Sequence, residues 1–126
     1  MTVVTGAGRG IGAATALHLA RTGHDLALSY LSDHDSAARV LAAVRAEGAR
    51  AVAVCGDVND AGDVNALFAA AANLGPVTGL VANAGLTAHL GDLADTPVET
   101  VRRVLDVNLL GVILCARRAT SDRRST

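Results

Sequence analysis

The sequence contains no lysine and no tryptophan, and tyrosine and phenylalanine each occur only once in its 126 residues. Its two cysteines, Cys55 and Cys115, form neither a Cys-x-x-Cys pair nor a cluster with histidine at metal-ligand spacing, so we predict no metal site. No apolar stretch reaches the roughly 20 residues that a membrane-spanning helix needs. These absences argue against a metalloprotein and against a membrane partner.

Cysteine usage and the first residues bear on the cellular compartment. Both cysteines lie in apolar runs, which predicts buried, reduced structural thiols. The chain leads almost directly into an apolar strand pattern, without the basic and apolar regions of a secretory signal. We therefore expect a cytoplasmic protein.

The composition is typical of one globular domain, as is the length. Hydrophobic residues make up 51% of the chain, and most are Ala, Val and Leu, which suits strands buried on both faces. The formal net charge of −1 gives no reason to expect nucleic acid as a partner.

Short runs of strand-forming residues alternate with longer helical patterns along the whole chain. We predict strands over residues 2–5, 25–30, 50–55 and 77–82, and helices over residues 11–22, 61–73 and 97–118. A further helix ends at Glu47, with Ser32, Asp33 and Asp35 as candidate N-caps. Crossovers of this length imply a parallel sheet with right-handed connections. The sequence therefore predicts an α/β fold, a doubly wound parallel sheet with helices on both faces.

The last helix has the clearest start signal. Thr96 is placed as its N-cap, Pro97 in its first turn and Glu99 at the third position of a capping box. Apolar periodicity then continues to Arg118 and is lost beyond it. We therefore predict one domain over residues 1–118 and a frayed polar tail over residues 119–126.

A glycine-rich segment joins the first strand to the first helix, and it reads Thr5, Gly6, Ala7, Gly8, Arg9, Gly10, Ile11, Gly12. Glycine allows a tight turn, close approach of the backbone to a ligand, and close packing of the helix on the strand. The N-terminus of the following helix offers free N–H groups and a partial positive charge to phosphates. In this context the segment predicts nucleotide binding.

Four motifs in this order resemble the short-chain dehydrogenase/reductase family. They are the glycine segment, Asp57-Val58 after the third strand, Asn83-Ala84-Gly85 after the fourth, and Asn108 in the last helix. The resemblance implies a truncated Rossmann-like domain in which Asp57 meets the adenine ring and Asn108 is the asparagine of the catalytic tetrad. It also implies a set of residues that bind a nicotinamide dinucleotide: Thr5, Gly6, Gly8, Arg9, Gly10, Ile11, Gly12, Asp57, Val58, Asn83, Ala84 and Gly85.

Each motif also has a purely structural interpretation. Asp57 can cap the turn after its strand, Asn83-Ala84-Gly85 can be an ordinary strand-ending turn, and Asn108 can be a satisfied core amide. The four histidines, His18, His24, His34 and His89, are scattered without partner spacing. Only His89, shortly after Gly85, is a candidate for the nicotinamide end of the site.

Cofactor choice depends on the end of the second strand. A carboxylate there binds the ribose hydroxyl of NAD and repels the 2′-phosphate of NADP. Here the strand ends on Ser29, Tyr30, Leu31 and Ser32, and Asp33 lies slightly too far on. Arg9 suits a phosphate, so NADP(H) is favoured over NAD(H); the alternative is that Arg9 is a solvated loop residue.

The resemblance implies hydride transfer between the cofactor and a small carbonyl or alcohol, with a serine and a Tyr-x-x-x-Lys motif beyond Asn108. The only tyrosine is Tyr30 and there is no lysine, so the motif is absent from these residues. We therefore expect an NAD(P)-dependent oxidoreductase that is truncated before its catalytic Ser, Tyr and Lys and inactive alone. The fourth strand would then have an open edge and the last helix an uncovered apolar face.

A second hypothesis is a non-catalytic NADP(H)-binding module, or a partner of a full-length homologue. The resemblance supports this possibility because members of the family tend to homo-oligomerise through the helix that here extends from Pro97 to Arg118.

Overall fold

The computed structural model describes residues 1–86 and 91–124 and contains the predicted alternation of strands and helices. The strands are β1 (Thr2–Val4), β2 (Leu26–Tyr30), β3 (Ala51–Cys55) and β4 (Gly79–Val81). The helices are α1 (Gly10–Arg21), α2 (His34–Ala46), α3 (Ala61–Ala72), α4 (Val98–Leu105) and α5 (Gly111–Arg124). The α/β prediction is confirmed, and the strand and helix bounds differ from the predicted ones by a few residues.

The four strands form one parallel sheet in the order β3-β2-β1-β4. Val3 of β1 lies opposite Ala27 of β2 on one side and Leu80 of β4 on the other. The chain therefore moves outward from β1 to β3 and then returns to the opposite side of β1. Such a reversal leaves a crevice at the carboxyl ends of the strands, where α/β proteins bind ligands. As expected, β4 lies at an edge of the described sheet.

Alternating residues of the central strands pack on opposite faces of the sheet. Val4, Leu26 and Leu28 belong to a core that α1 and α2 cover. Val3 and Ala27 belong to a second core that α3 and α5 cover. This period of two produces a sheet with helices on both faces, as a doubly wound fold requires.

Helix α3 buries the apolar stripe that its sequence periodicity predicts. Its predicted inward stripe of Val64, Leu67, Phe68 and Ala71 is buried in full. Asp60 caps the helix by accepting a hydrogen bond from the Asp63 N–H at 2.9 Å. Burying a side chain of the size of Phe68 stabilises the fold by about 1.5–3 kcal/mol.

The last two helices form one continuous rod, since the π-helical turn Asp106–Leu110 joins α4 to α5 without a break. Val107 and Cys115 face the core, and burial raises the pKa of the Cys115 thiol. On another face Leu105, Leu109 and Ile113 are 53%, 57% and 51% exposed. The expected uncovered apolar face of this helix is therefore present. None of the described helices is long and apolar enough to cross a membrane.

The predicted start and end of the last helix are wrong. The Thr96 hydroxyl donates to the Asp92 carbonyl oxygen at 3.1 Å, across the short 3-10 turn that precedes α4. The helix begins at Val98 after Pro97, with no side-chain cap. At the other end α5 continues past Arg118 to Arg124, where an Arg118–Asp122 ion pair one turn apart supports it. The residues predicted as a frayed tail are thus helical as far as 124, and the domain boundary at 118 stays a prediction.

The prediction of two buried thiols is half wrong. Cys115 is buried, but Cys55 is exposed, and neither forms a disulfide. Cys55 is the last residue of β3, an edge strand whose burial decreases towards its carboxyl end. Its thiol lies 3.1 Å from the Leu31 carbonyl oxygen, which accepts its hydrogen bond.

Candidate functional site

A cleft of about 480 Å³ lies at the carboxyl ends of the strands. This volume lies within the range of roughly 300–1,000 Å³ that is typical of small-molecule sites. Residues from all four strand ends and from the last helix line it. Ten of the predicted cofactor-binding residues are among them: Gly6, Gly8, Arg9, Gly10, Ile11, Asp57, Val58, Asn83, Ala84 and Gly85.

At the floor of the cleft, hydrogen bonds between Thr5 and Gly6 after β1 and Asn83 and Ala84 after β4 join the two strand ends. We call this group of hydrogen bonds the clasp. Thr5 lies beneath the lining and is buried, and its hydroxyl oxygen accepts the N–H groups of Asn83 and Ala84, each at 3.0 Å. In return, the Asn83 side-chain amide donates to the carbonyl oxygens of Thr5 and Gly6, at 3.2 and 3.1 Å. Asn83 therefore joins two motifs that are 77 and 78 residues apart in sequence, and it does more than end a strand.

Two glycines make the clasp possible. Gly6 has a φ of +63°, and a Cβ there would lie 2.8 Å from the Ala84 Cα. Gly12 lies on the inner side of α1, where a Cβ would lie 2.2 Å from the Gly6 carbonyl oxygen and 2.5 Å from the Asn83 side-chain nitrogen. These distances leave no room for a side chain. Gly12 thus lies beneath the cleft, where its lack of a side chain lets α1 pack closely against the end of β1.

The N-terminus of α1 faces the cleft without a side-chain cap. Arg9 precedes the helix in extended conformation and makes no capping hydrogen bond, and the first turn contains no acidic residue. By contrast, Asp33 caps α2 and Asp60 caps α3. The first N–H groups of α1 are therefore available to an anion, and the helix dipole favours one.

Arg9, which precedes α1, and Asp33, which follows β2, line the same part of the cleft. Asp33 accepts hydrogen bonds from the Ser36 N–H at 3.0 Å and the Ser36 hydroxyl at 2.8 Å. The Ser36 N–H, more than its hydroxyl, holds the pKa of Asp33 below its ordinary value. The Arg9 side chain forms no hydrogen bond or ion pair with any residue in the described ranges. Arg9 is thus exposed at the cleft, and its charge adds a smaller contribution to the lowered pKa of Asp33.

Asp57 both caps its own turn and faces the cleft. Its Oδ1 accepts the Asn59 N–H at 3.2 Å, as the purely structural interpretation requires. Its Oδ2 accepts a hydrogen bond from Arg103 of α4 at 2.8 Å. Arg103 was not identified from the sequence, although it also lines the cleft. The available signal was its position one helical turn before the apolar residue Val107.

Asn108 lies in the π-helical turn and does not line the cleft. Its Oδ1 accepts the Leu86 N–H at 2.7 Å, and its Nδ2 donates to the Leu86 carbonyl oxygen at 2.8 Å. The side chain is exposed, so the interpretation as a core amide is wrong. Asn108 instead holds the backbone directly after Gly85 against the last helix. π-Helical turns often occur at functional sites, because the extra residue changes the direction of a side chain.

The histidines do not form a catalytic group in the part of the chain that the structure describes. His24 Nδ1 lies 2.9 Å from the Thr2 hydroxyl, and His34 Nδ1 lies 2.8 Å from the Tyr30 hydroxyl. His89, the candidate for the nicotinamide end, lies outside the described residues. Within those residues, no three His, Cys, Asp or Glu side chains come together as a metal site.

Comparison with known families and proteins gives a consistent result. The family model of the short chain dehydrogenases matches residues 1–124. A short chain dehydrogenase of Passalora fulva is 37% identical over 118 residues, which are 93% of this chain and 44% of that protein. A 3-oxoacyl-[acyl-carrier-protein] reductase of Synechocystis is 39% identical over 116 residues, which are 91% of this chain and 47% of that protein. The chain thus spans about half the length of the curated relatives it matches.

Solved structures show the same half-length similarity. A short-chain dehydrogenase/reductase from Burkholderia xenovorans superimposes with a TM-score of 0.92 at 31% identity, over 99% of this chain and 53% of that one. A short-chain type dehydrogenase/reductase from Mycobacterium marinum gives a TM-score of 0.89 at 29% identity, over 96% and 49%. The α/β fold of this chain is therefore similar to the folds of both proteins.

We predict that Gly12→Ala disrupts the clasp and that Gly8→Ala does not. A methyl group on Gly12 collides with backbone oxygen and with Asn83, whereas one on Gly8 meets Tyr30 Cβ at an ordinary 3.5 Å. Overpacking of this kind costs about 1–3 kcal/mol, and a tolerated surface change costs less than roughly 0.5 kcal/mol. Urea unfolding of both variants measures the difference, and equal unfolding midpoints would contradict the clasp.

Proposed function

The chain belongs to the short-chain dehydrogenase family, and we propose that it is the NADP(H)-binding part of an oxidoreductase that acts on a small carbonyl or alcohol. The observation that carries the proposal is the uncapped N-terminus of α1, which follows the glycine segment and faces the cleft. A dinucleotide presents two phosphates to such a helix end. When bound, the cofactor supplies or accepts the hydride of the reaction.

The residues around the cleft divide the proposed site into three regions. Backbone N–H groups of the glycine segment, from Gly8 to Gly12, hold the pyrophosphate, and Thr5 and Gly6 fix the shape of that segment through the clasp. Asp57 and Val58 border the adenine. Asn83, Ala84 and Gly85 border the nicotinamide half, because they follow β4 on the far side of β1. The cleft and these groups fit the cofactor in size and in hydrogen-bonding chemistry.

The acid/base chemistry of the reaction is not available within these 126 residues. The only tyrosine, Tyr30, pairs with His34, and the sequence has no lysine. Of the catalytic tetrad that the family resemblance implies, Asn108 alone is present, and it contacts the Leu86 backbone. We propose that the chain by itself binds the cofactor without turning over a substrate, and that Asn108 positions the strand-end loop beside the nicotinamide.

A cofactor titration tests the central proposal. We expect the chain to bind NADPH in the micromolar range by isothermal calorimetry. Ile11 lies at the cleft, 79% exposed in the first turn of α1, so Ile11→Asp adds a negative charge next to the proposed pyrophosphate. The affinity of the Ile11→Asp variant for NADPH should fall at least about tenfold.

The matched control is Ala14→Asp, which places the same charge on an exposed position of α1 away from the cleft. An acidic residue near a helix N-terminus stabilises the helix, so lost binding of the Ile11 variant does not reflect unfolding. No NADPH binding by the wild type, or equal losses in both variants, would refute the proposed site.

We propose NADP(H) in preference to NAD(H) because the Arg9 guanidinium is exposed at the cleft and forms no hydrogen bond with another described residue, whereas the Asp33 carboxylate accepts hydrogen bonds from Ser36. A guanidinium group binds a phosphate through charge-assisted hydrogen bonds. Ser32 supplies a further hydroxyl in the same part of the cleft.

Arg9→Gln should therefore weaken NADPH binding about tenfold or more and change NADH binding little, since NADH lacks the 2′-phosphate. Parallel titrations with both nucleotides measure this selectivity. Tighter binding of NADH than of NADPH by the wild type would rule out the preference.

The uncovered face of the last helix supports a second role, pairing with another copy or with a longer homologue. Leu105, Leu109 and Ile113 repeat every four residues, so they form one exposed apolar row. We propose that this row mediates association, as members of the family tend to associate through this helix. Sedimentation velocity of the wild type and of Leu109→Glu tests the proposal: the wild type should associate and the variant should not. A monomeric wild type at all concentrations would exclude it.

A further inference from the structure

Arg103 of α4 connects the last helix to the turn that carries Asp57. Its Nη1 donates to Asp57 Oδ2 at 2.8 Å, and the two side chains are 37% and 25% exposed. Both residues line the cleft, on the side of β1 where β2 and β3 lie. None of the motifs that identified the cofactor site includes Arg103.

The backbone around Asp57 is fixed independently of Arg103. The Asp57 N–H donates to Asp63 Oδ2 at 2.8 Å, and the Asp60 N–H donates to the Asp57 carbonyl oxygen at 3.0 Å. Asp57 Oδ1 accepts one hydrogen bond, from the Asn59 N–H. A carboxylate offers about four acceptor positions, so the two bonds to Asn59 and Arg103 leave acceptor capacity for a ligand in the cleft.

The last helix packs closely on the turn that carries Asp57 and Val58, and this packing fixes the position of Arg103. One turn beyond Arg103, Val107 is buried, and a Cβ on Gly111 would lie 2.5 Å from Val58 Cγ2. The helix backbone therefore touches Val58, next to Asp57. A guanidinium group on this inward side loses solvation unless a partner compensates it, and Asp57 is that partner.

We propose that Arg103 is a positioning residue for base recognition: it fixes the Asp57 carboxylate so that an acceptor oxygen meets the amino group of adenine. The inference depends on the proposed function, since it assumes that a dinucleotide occupies the cleft. Adenine carries a hydrogen-bond donor at this position, whereas hypoxanthine carries an oxygen. A fixed carboxylate discriminates between them, because the oxygen of hypoxanthine would leave two acceptors facing each other unpaired. Without Arg103 the carboxylate rotates and the discrimination falls.

The test compares NADPH with nicotinamide hypoxanthine dinucleotide phosphate, its deaminated counterpart, as ligands of the whole chain. The wild type should prefer the adenine cofactor by about tenfold. Arg103→Gln should reduce this ratio to about twofold or less, and Arg103→Lys, which keeps a charge near Asp57, should retain part of it. Arg102→Gln is the matched control, because Arg102 is the exposed neighbour on the same helix and does not line the cleft.

The ratio separates recognition from a merely structural effect. If Arg103→Gln weakens both nucleotides equally and leaves the ratio unchanged, Arg103 supports the fold alone and the inference is wrong. If the wild type binds NADPH with no base preference, the proposed function survives and the inference does not. If the wild type binds neither nucleotide, both fail. Circular dichroism confirms that each variant is folded, and the lysine variant provides the ratio if the glutamine variant unfolds.

Discussion

The hydrogen bonds that Thr5 and Asn83 exchange are the constraint on which the rest of the site depends. They fasten the end of β1 to the end of β4, where the strand order reverses and the cleft opens. Because the Gly6 carbonyl oxygen and the Asn83 amide nitrogen occupy the space beside Gly12, only glycine fits there, and α1 packs closely against the clasp. The clasp therefore holds the N-terminus of α1 at the cleft, and this end lacks a side-chain cap because Arg9 occupies the N-cap position. One side-chain amide thus determines the shape of the surface that we propose for phosphate binding.

The last helix organises the two ends of the cleft at once. Arg103 holds Asp57 on one side, and Asn108 holds the backbone of Leu86 on the other. Between them the π-helical turn lets Val107 stay in the core while Asn108 reaches the loop after Gly85. The same helix exposes an apolar row, so its role in the site is combined with a surface suited to association.

The sequence predicted the parts of the fold that depend on local pattern. Strand alternation, the buried stripe of α3 and the glycine segment are periodic or compositional signals, and the structure contains each of them. The sequence did not predict where an element ends or which distant residues contact each other. The capping box at Thr96 is wrong because α4 begins only at Val98, after Pro97, and Cys55 is exposed because it ends an edge strand. Arg103 was missed because its partner Asp57 lies 46 residues away in sequence.

The most direct test of the central claim is an amide NMR titration of the chain with NADPH. We predict that the largest shifts fall on the N–H groups from Gly8 to Gly12, with smaller shifts at Asp57 and Gly85, while the capped N-terminus of α3 responds less. Shifts confined to other surfaces, or centred on the N-terminus of α3, would contradict the assignment of the α1 terminus as the phosphate site.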